Sequence, residues 1–328
     1  MPRRANYSQI ISFLFLLIQV TCSTEINTFA DIKEGPRTFA NTLNVIVNTE
    51  DEFKVALEHQ SRLDRIIVKG YSLITNPMNN LPYVSGSPDF EINSTKKYAH
   101  INLGEMVFIQ DFSFVCADAV VAFVQKHNFD GVVFEDLESV FYSAGRSVRD
   151  VRLLLRRVGI ELHKINRTLV VILPVKSQSI GSTEVFSLLK YVDEFIVFST
   201  GFSEKIHIQT YFDSPLDFVK NCVTDFSHDN EEVMKKMNVM INMESYMFCN
   251  GKKTLIDPHN LTDVLSTGEM AEWFDKEKEY LVHLSDGCLV SYVSVDTLKA
   301  KIEYAKQHNL GVTILNTKGM NPNAFFLF

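Results

Sequence analysis

The 328-residue sequence predicts an α/β fold, a single (β/α)8 barrel of the TIM type. Three observations point there. Short β-branched runs alternate with amphipathic stretches of a dozen or more residues along nearly the whole chain; the short runs are apolar throughout, as strands covered on both faces are; and no polar linker divides the series. The runs are Leu43–Val47, Ile66–Val68, Met106–Ile109, Gly131–Phe134, Leu169–Leu173, Phe195–Phe198, Val239–Ile241 and Val312–Leu315. The helical stretches between them are Glu52–Leu63, Cys116–His127, Val148–Lys164, Glu184–Tyr191, Leu216–Phe226 and Asp296–Gln307. A doubly wound open sheet is the alternative. No Gly-x-Gly-x-x-Gly or other phosphate-cradling loop follows any run, which favours the barrel. Two regions break the rhythm: residues 72–104, with Pro77, Pro82, Gly86 and Pro88, and Cys249–Asp286, a charged insertion holding the single tryptophan, Trp273. Long connections in a barrel gather where the strands end, so both are candidate rims of a site.

Composition bounds the function. With 46% hydrophobic and 22% charged residues, the chain has enough apolar side chain for a full core, and 14 Gly and 9 Pro are too few for a low-complexity chain. The net charge of −8, with no basic stripe in view, argues against a nucleic-acid partner. Arg3 and Arg4, the apolar run Ile10–Val20 and the small residues Thr21 and Ser23 read as a secretory signal peptide over 1–23, leaving 24–328 as one domain of a secreted or lysosomal lumenal protein. Beyond that segment no apolar run is long enough to span a bilayer. Asn93, Asn166 and Asn260 each begin an Asn-x-Ser/Thr triplet and are candidate glycosylation sites. Four cysteines remain after signal removal, Cys116, Cys222, Cys249 and Cys288; they allow three pairings or buried thiols. No ligand spacing suggests a metal, and no motif calls for a cofactor.

One segment carries a family likeness. Phe129-Asp130-Gly131-Val132-Val133-Phe134-Glu135-Asp136-Leu137-Glu138 resembles strand four of glycoside hydrolase family 18, the chitinases and chitinase-like proteins, whose pattern is Phe-Asp-Gly-x-Asp-x-Asp-x-Glu. It is closer still to the chitinase-domain-containing (stabilin-interacting chitinase-like) subfamily, where the usual acids are already replaced. Gly70-Tyr71 with Asn76 resembles that subfamily's first strand, Trp273–Val293 with Thr297–Leu310 its last crossover, and Gly311–Ile314 its final strand. With Gly70-Tyr71 as strand one, strand two falls within Leu81–Ile92 and the second crossover helix is missing; the pattern-based count instead makes Leu43–Val47 and Glu52–Leu63 the first β–α unit. Either way the first three strands are irregular.

What the resemblance implies is chemistry that this chain has lost. In the active family one Glu protonates the glycosidic oxygen while the substrate's own acetamido group attacks. Motif positions four, six and eight share a strand face and point into the mouth; here they are Val133, Glu135 and Leu137, while Asp136 and Glu138 face outward. The proton donor position is thus Leu137, the first supporting acid is Val133, and only Glu135 keeps a carboxylate. The family's strand-six pair is matched by Thr200-Gly201, its last-strand tryptophan by Leu315 and its first-strand aromatic by Thr75. The expectation is a protein without catalytic residues that binds oligosaccharides, chitin-like chains or glycoprotein glycans, with Tyr71, Asn76, Glu135, Asn242 and Glu244 as ligand-binding candidates. Glu135 also suits a structural interior carboxylate, and His283 and His308 read as surface or packing residues. Two alternatives stay open: a weak hydrolase with a relocated acid, Glu138 or Glu244, and a scaffold that binds no sugar and works through a receptor or sorting partner.

Overall fold

The strand β1 (Leu43–Val47) is five buried residues in a row, and the chain leaves it through a capped helix, α1 (Glu50–Glu58). The Thr49 hydroxyl accepts from Glu52 N at 3.3 Å and the Glu52 carboxylate from Thr49 N at 3.2 Å, so two N–H groups of the first turn are satisfied reciprocally. The computed structural model describes Phe29 and residues 32–94, 96–103, 112–137, 147–174, 180–202, 211–318 and 320–328. The signal segment, the run Met106–Ile109 and Glu138 lie outside these residues.

Eight parallel strands close into a barrel: β1, β2 (Arg65–Thr75), β4 (Lys97–Asn102), β5 (Gly131–Glu135), β6 (Thr168–Leu173), β7 (Glu194–Val197), β8 (Met237–Asn242) and β14 (Gly311–Leu315), with β1 paired to both β2 and β14. Helices α2 (Phe112–His127), α3 (Val148–Lys164), α4 (Ser182–Leu188), α5 (Leu216–Ser227) and α8 (Val295–Gln307) cover the wall; the short α6 (Glu231–Met234) follows α5. The barrel is the one the alternation predicts, with two corrections. Its third strand is Lys97–Asn102. Gly70 and Tyr71 belong to the second strand, so Leu43–Val47 does supply the first β–α unit. The second crossover nevertheless has no helix among the described residues: β2 runs on past the barrel and β3 (Pro82–Gly86) folds back against it. Pro77, Pro82 and Pro88 disfavour a helix there. Gly86 is needed where the two arms meet, since a Cβ on it would stand 2.0 Å from Gly70 O.

Between β8 and α8 the supposed charged insertion is a second small sheet, antiparallel, in the order β10 (Lys252–Leu255), β9 (Tyr246–Cys249), β13 (Leu289–Tyr292), β12 (Glu279–Leu284), β11 (Gly268–Phe274). The span Trp273–Val293, likened to the last crossover, is therefore sheet, and α8 alone is that crossover's helix. One face of the sheet packs Val282, Val290 and Tyr292 against Leu261, Val264 and Leu265 on and beside α7 (Leu261–Ser266). A disulfide joins Cys249 to Cys288, whereas Cys116 and Cys222 are buried thiols on α2 and α5. Where the sheet meets the barrel, buried Lys301 Nζ on α8 lies 3.1 Å from a Glu279 carboxylate oxygen.

The core has two layers. Outward-facing residues such as Val132 and Phe134 pack under the helices, while Ile46, Ile67, Tyr98, Val133, Val170, Ile172, Ile196 and Met240 fill the barrel itself. At the strand starts this filling turns polar. Glu194 is buried there, paired with Arg65, bonded by Asn238 and by Asn44 Nδ2 at 3.2 Å. The outside holds one surprise. Helix α3 carries Arg149, Arg152, Arg156 and Lys164 on its outer side, a basic stripe that an overall charge of −8 conceals. No helix among the described residues is long and apolar enough to cross a membrane.

Candidate functional site at the barrel mouth

Where the strands end, polar side chains converge from five separate elements. Asn242, the last residue of β8, is the hub. Its Nδ2 lies 3.2 Å from an oxygen of each of Asp213, Glu244 and Tyr246, and its Oδ1 accepts from Asn316 Nδ2 at 2.8 Å and from Glu244 N at 3.2 Å. Glu244 stands beside Asn242 because the chain turns out of β8 there, and it also accepts from the Tyr246 hydroxyl at the start of β9. Asp213 comes from the β7–α5 connection. That loop is pinned to the strand ends: Ser214 Oγ donates to Ser199 O at 2.6 Å, and Ser199 Oγ to Met240 O at 2.9 Å.

The insertion sheet supplies the counter-charge. Lys253 Nζ on β10 is 3.3 Å from Asp213 and 3.8 Å from the centre of the Tyr246 ring. Burial, the Asp213 charge and the bond to Glu244 all push the Tyr246 phenol above its ordinary range, so it remains a donor. Phe248 is the cross-strand neighbour of Lys253 and meets the half-exposed Tyr211 edge to face at 5.4 Å. The site thus combines two carboxylates sharing one amide donor, a lysine, a phenol and an aromatic shelf. Such a set offers both donors and acceptors to hydroxyl and acetamido groups and ring faces to the apolar side of a sugar.

Elsewhere on the rim, Glu135 ends β5. One of its oxygens is 3.0 Å from Nε2 of the buried His100 on β4, without the alignment of a hydrogen bond, and its side chain keeps 25% exposure. Strand alternation stops at this residue. Asp136 adopts a left-handed backbone at φ 61°, and Leu137 turns into the layer between wall and helices instead of following Val133 and Glu135 into the mouth. The expectation that Leu137 lines the mouth is corrected by that single residue, since one αL position breaks the strand's alternation.

The chain matches the family model described as "Glycosyl hydrolases family 18" over residues 110–315, more than half of its length. The chain belongs to glycosyl hydrolases family 18. No curated protein matches it. Among solved structures, this family 18 barrel is similar to a chitinase from Chromobacterium violaceum, with a TM-score of 0.69 at 13% identity over 88% of this chain and 97% of that one. It is also similar to the spore cortex-lytic enzyme SleL of Bacillus megaterium, with a TM-score of 0.66 at 11% identity over 89% and 74% of the two chains. A class V chitinase from Nicotiana tobaccum, solved in complex with NAG4, gives 0.66 at 11% identity over 88% and 98%. At these identities the likeness is one of fold.

Of the residues singled out from sequence, the family 18 barrel brings Asn242 and Glu244 together and leaves Glu135 three strands away on the same rim. Tyr71 is 5% exposed, wedged against Phe123 and Phe129 with ring centres at 5.0 and 5.6 Å, and burial raises its phenol to about 12. Asn76 builds the β2–β3 turn, its Oδ1 accepting from Met78 N at 2.9 Å. Thr75 ends β2 opposite Pro82, Thr200 is buried just beyond β7, and Leu315 packs on the upper barrel filling. Asn93, Asn166 and Asn260 are all exposed. His283 lies 3.5 Å from Glu272, and His308 packs on Tyr304 at 4.7 Å. Sequence reading missed Asp213, Tyr246, Lys253, Asn316 and His100. Only His100 carried a signal, being polar between the apolar neighbours Ala99 and Ile101 of a strand.

Proposed function

We propose that this family 18 protein is a chitinase-like binder of N-acetylglucosamine-containing oligosaccharides that does not cleave them. Leu137 carries the reading. The residue aligned with the proton donor has no proton to give, and it is buried beside Phe134, out of reach of a glycosidic oxygen. The surviving acid of the motif, Glu135, sits two residues short of that position, 3.0 Å from His100 Nε2. Asp213, Asn242, Glu244 and Lys253, with the Tyr211–Phe248 shelf, form the binding surface. The strand-four sequence supports a place beside the stabilin-interacting chitinase-like proteins. The residue 1–23 segment, three exposed sequons and a Cys249–Cys288 disulfide suit a secreted or lysosomal lumenal protein. The test is paired: calorimetric titration with NAG4 gives binding, and a fluorogenic chito-oligosaccharide gives no product. Turnover that disappears in the Glu135→Gln variant overturns the reading.

One observation favours a second reading, a weak hydrolase. Glu244, a candidate relocated acid, stands beside a second carboxylate, Asp213, through their shared donor Asn242. Two neighbouring carboxylates are what most glycoside hydrolysis requires. Turnover abolished by Glu244→Gln and by Asp213→Asn would establish it.

A further inference from the structure

Helix α3 presents a linear cationic face that the mouth does not use. Arg149 and Arg156 are exposed two turns apart on one side, with Arg152 half-buried between them and Lys164 two turns further on. From Arg149 to Lys164 the row runs about 22 Å at about 1.5 Å per residue. Neighbouring carboxylates are engaged elsewhere. Asp150 caps the helix by accepting from Ser147 N at 3.0 Å. Glu161 is taken by Arg157 at 2.9 Å and Lys164 at 2.8 Å, Asp193 by His163 at 2.9 Å, and Asp130 by Arg167 at 3.3 Å. Among the described residues no carboxylate lies within ion-pair distance of Arg149, Arg152 or Arg156. Three guanidinium groups in a row thus have no carboxylate partner among the described residues, Arg156 lying over the Tyr191 ring at 4.9 Å, on a protein whose net charge is −8.

We propose that this face docks a sulfated polysaccharide chain. Charge complementarity selects a polyanion, and planar guanidinium forks match the oxygens of sulfate and carboxylate groups two at a time. The single-file spacing along one helix suits an extended chain. A membrane surface fits less well. A helix lying in a bilayer interface needs a free apolar side, whereas Val151, Leu154, Leu155, Val158 and Leu162 of α3 are already packed against the barrel. The backbone is held close as well, since a Cβ on Gly159 would meet Tyr191 O at 2.1 Å.

The experiment uses the full chain and heparin as the probe. Binding is expected at about 50 mM salt and weakens steeply as salt rises, because each contact releases a condensed counterion. The triple variant Arg149→Gln/Arg152→Gln/Arg156→Gln is expected to bind at least about thirtyfold more weakly and to lower the slope of log affinity against log salt by about 2–3. The corresponding triple Lys variant recovers part of the loss, which a merely structural role would not predict. NAG4 binding is unchanged in both variants, so this proposal and that for the mouth fail separately. A Lys235→Gln/Lys299→Gln control on another surface keeps full affinity. Heparin binding equal in the triple Gln variant and the parent overturns the proposal. So does an absence of heparin binding at low salt, or binding to phosphatidylserine vesicles or duplex DNA without binding to heparin.

Discussion

The two ends of the barrel hold polar networks of similar composition and opposite use. At the strand starts, Glu194 keeps 6% of its side chain exposed and is enclosed by Arg65, Asn44 and Asn238, with Thr313 as a further partner of Asn44 at 3.3 Å. Every one of these members comes from a strand. At the strand ends, Asp213, Glu244, Tyr246, Lys253 and Asn316 come from loops or from the insertion sheet and surround one strand residue, Asn242. The difference teaches where to look for function in such a fold. A carboxylate that strands alone enclose is a plug, whereas one that loops enclose has an open side for a ligand.

The comparison breaks most directly at the plug. Glu194→Leu leaves the Arg65 guanidinium buried without its partner and is expected to destabilise the fold by about 3–5 kcal/mol in urea unfolding, while adding Arg65→Met restores most of that loss. Equal stability of the single variant and the parent would show that the plug is not enclosed. At the mouth the same kind of change acts on binding. Glu244→Gln is expected to cost under about 1 kcal/mol of stability, since water reaches the site, but to weaken NAG4 binding about tenfold through loss of a charged acceptor.

A smaller effect separates the ends by pH. Asp64, just before β2, is partly buried, which raises its pKa, but Arg37 at 2.7 Å and the Leu43 N–H at 2.8 Å outweigh this and hold the carboxyl below its ordinary value. A depressed pKa contributes stability that is complete above the unfolded carboxylate range and is lost as pH falls through the folded value. Asp64→Asn should therefore lower Tm at neutral pH by a degree or two and flatten the acid limb of the Tm–pH curve. The smallest effect is spectroscopic. In an ultraviolet titration Asp213→Asn removes a charge beside Tyr246 and brings that phenol down, while Tyr71, raised by burial alone, does not move. A shift in neither would separate Asp213 from the phenol.

Legibility followed burial. β1, β5, β6 and β14 were plain because a strand covered on both sides is a continuous apolar run, and α3 was found to the residue from its periodicity. The strand Lys97–Asn102 escaped because His100 and Asn102 serve the rim and interrupt its apolar run. The insertion sheet escaped for a related reason: β10 and β11 bury little, so Lys253, Glu269 and Glu272 give them the look of a charged loop. Asn242 and Glu244 were legible through the family resemblance, whose counterparts of these positions line a sugar cleft. Asp213 and Lys253 were not, because nothing in their own segments marks them as neighbours.

By itself the sequence determined the barrel and the family likeness, since both rest on local runs and on one short motif. Tertiary structure decided which acids meet. Asp213, Glu244 and Lys253 are far apart along the chain and were joined only by barrel closure and by the insertion sheet folding back over the mouth. Likewise the left-handed Asp136, one residue's backbone angle, decided that Leu137 faces the helices, because strand alternation holds only while the backbone stays extended.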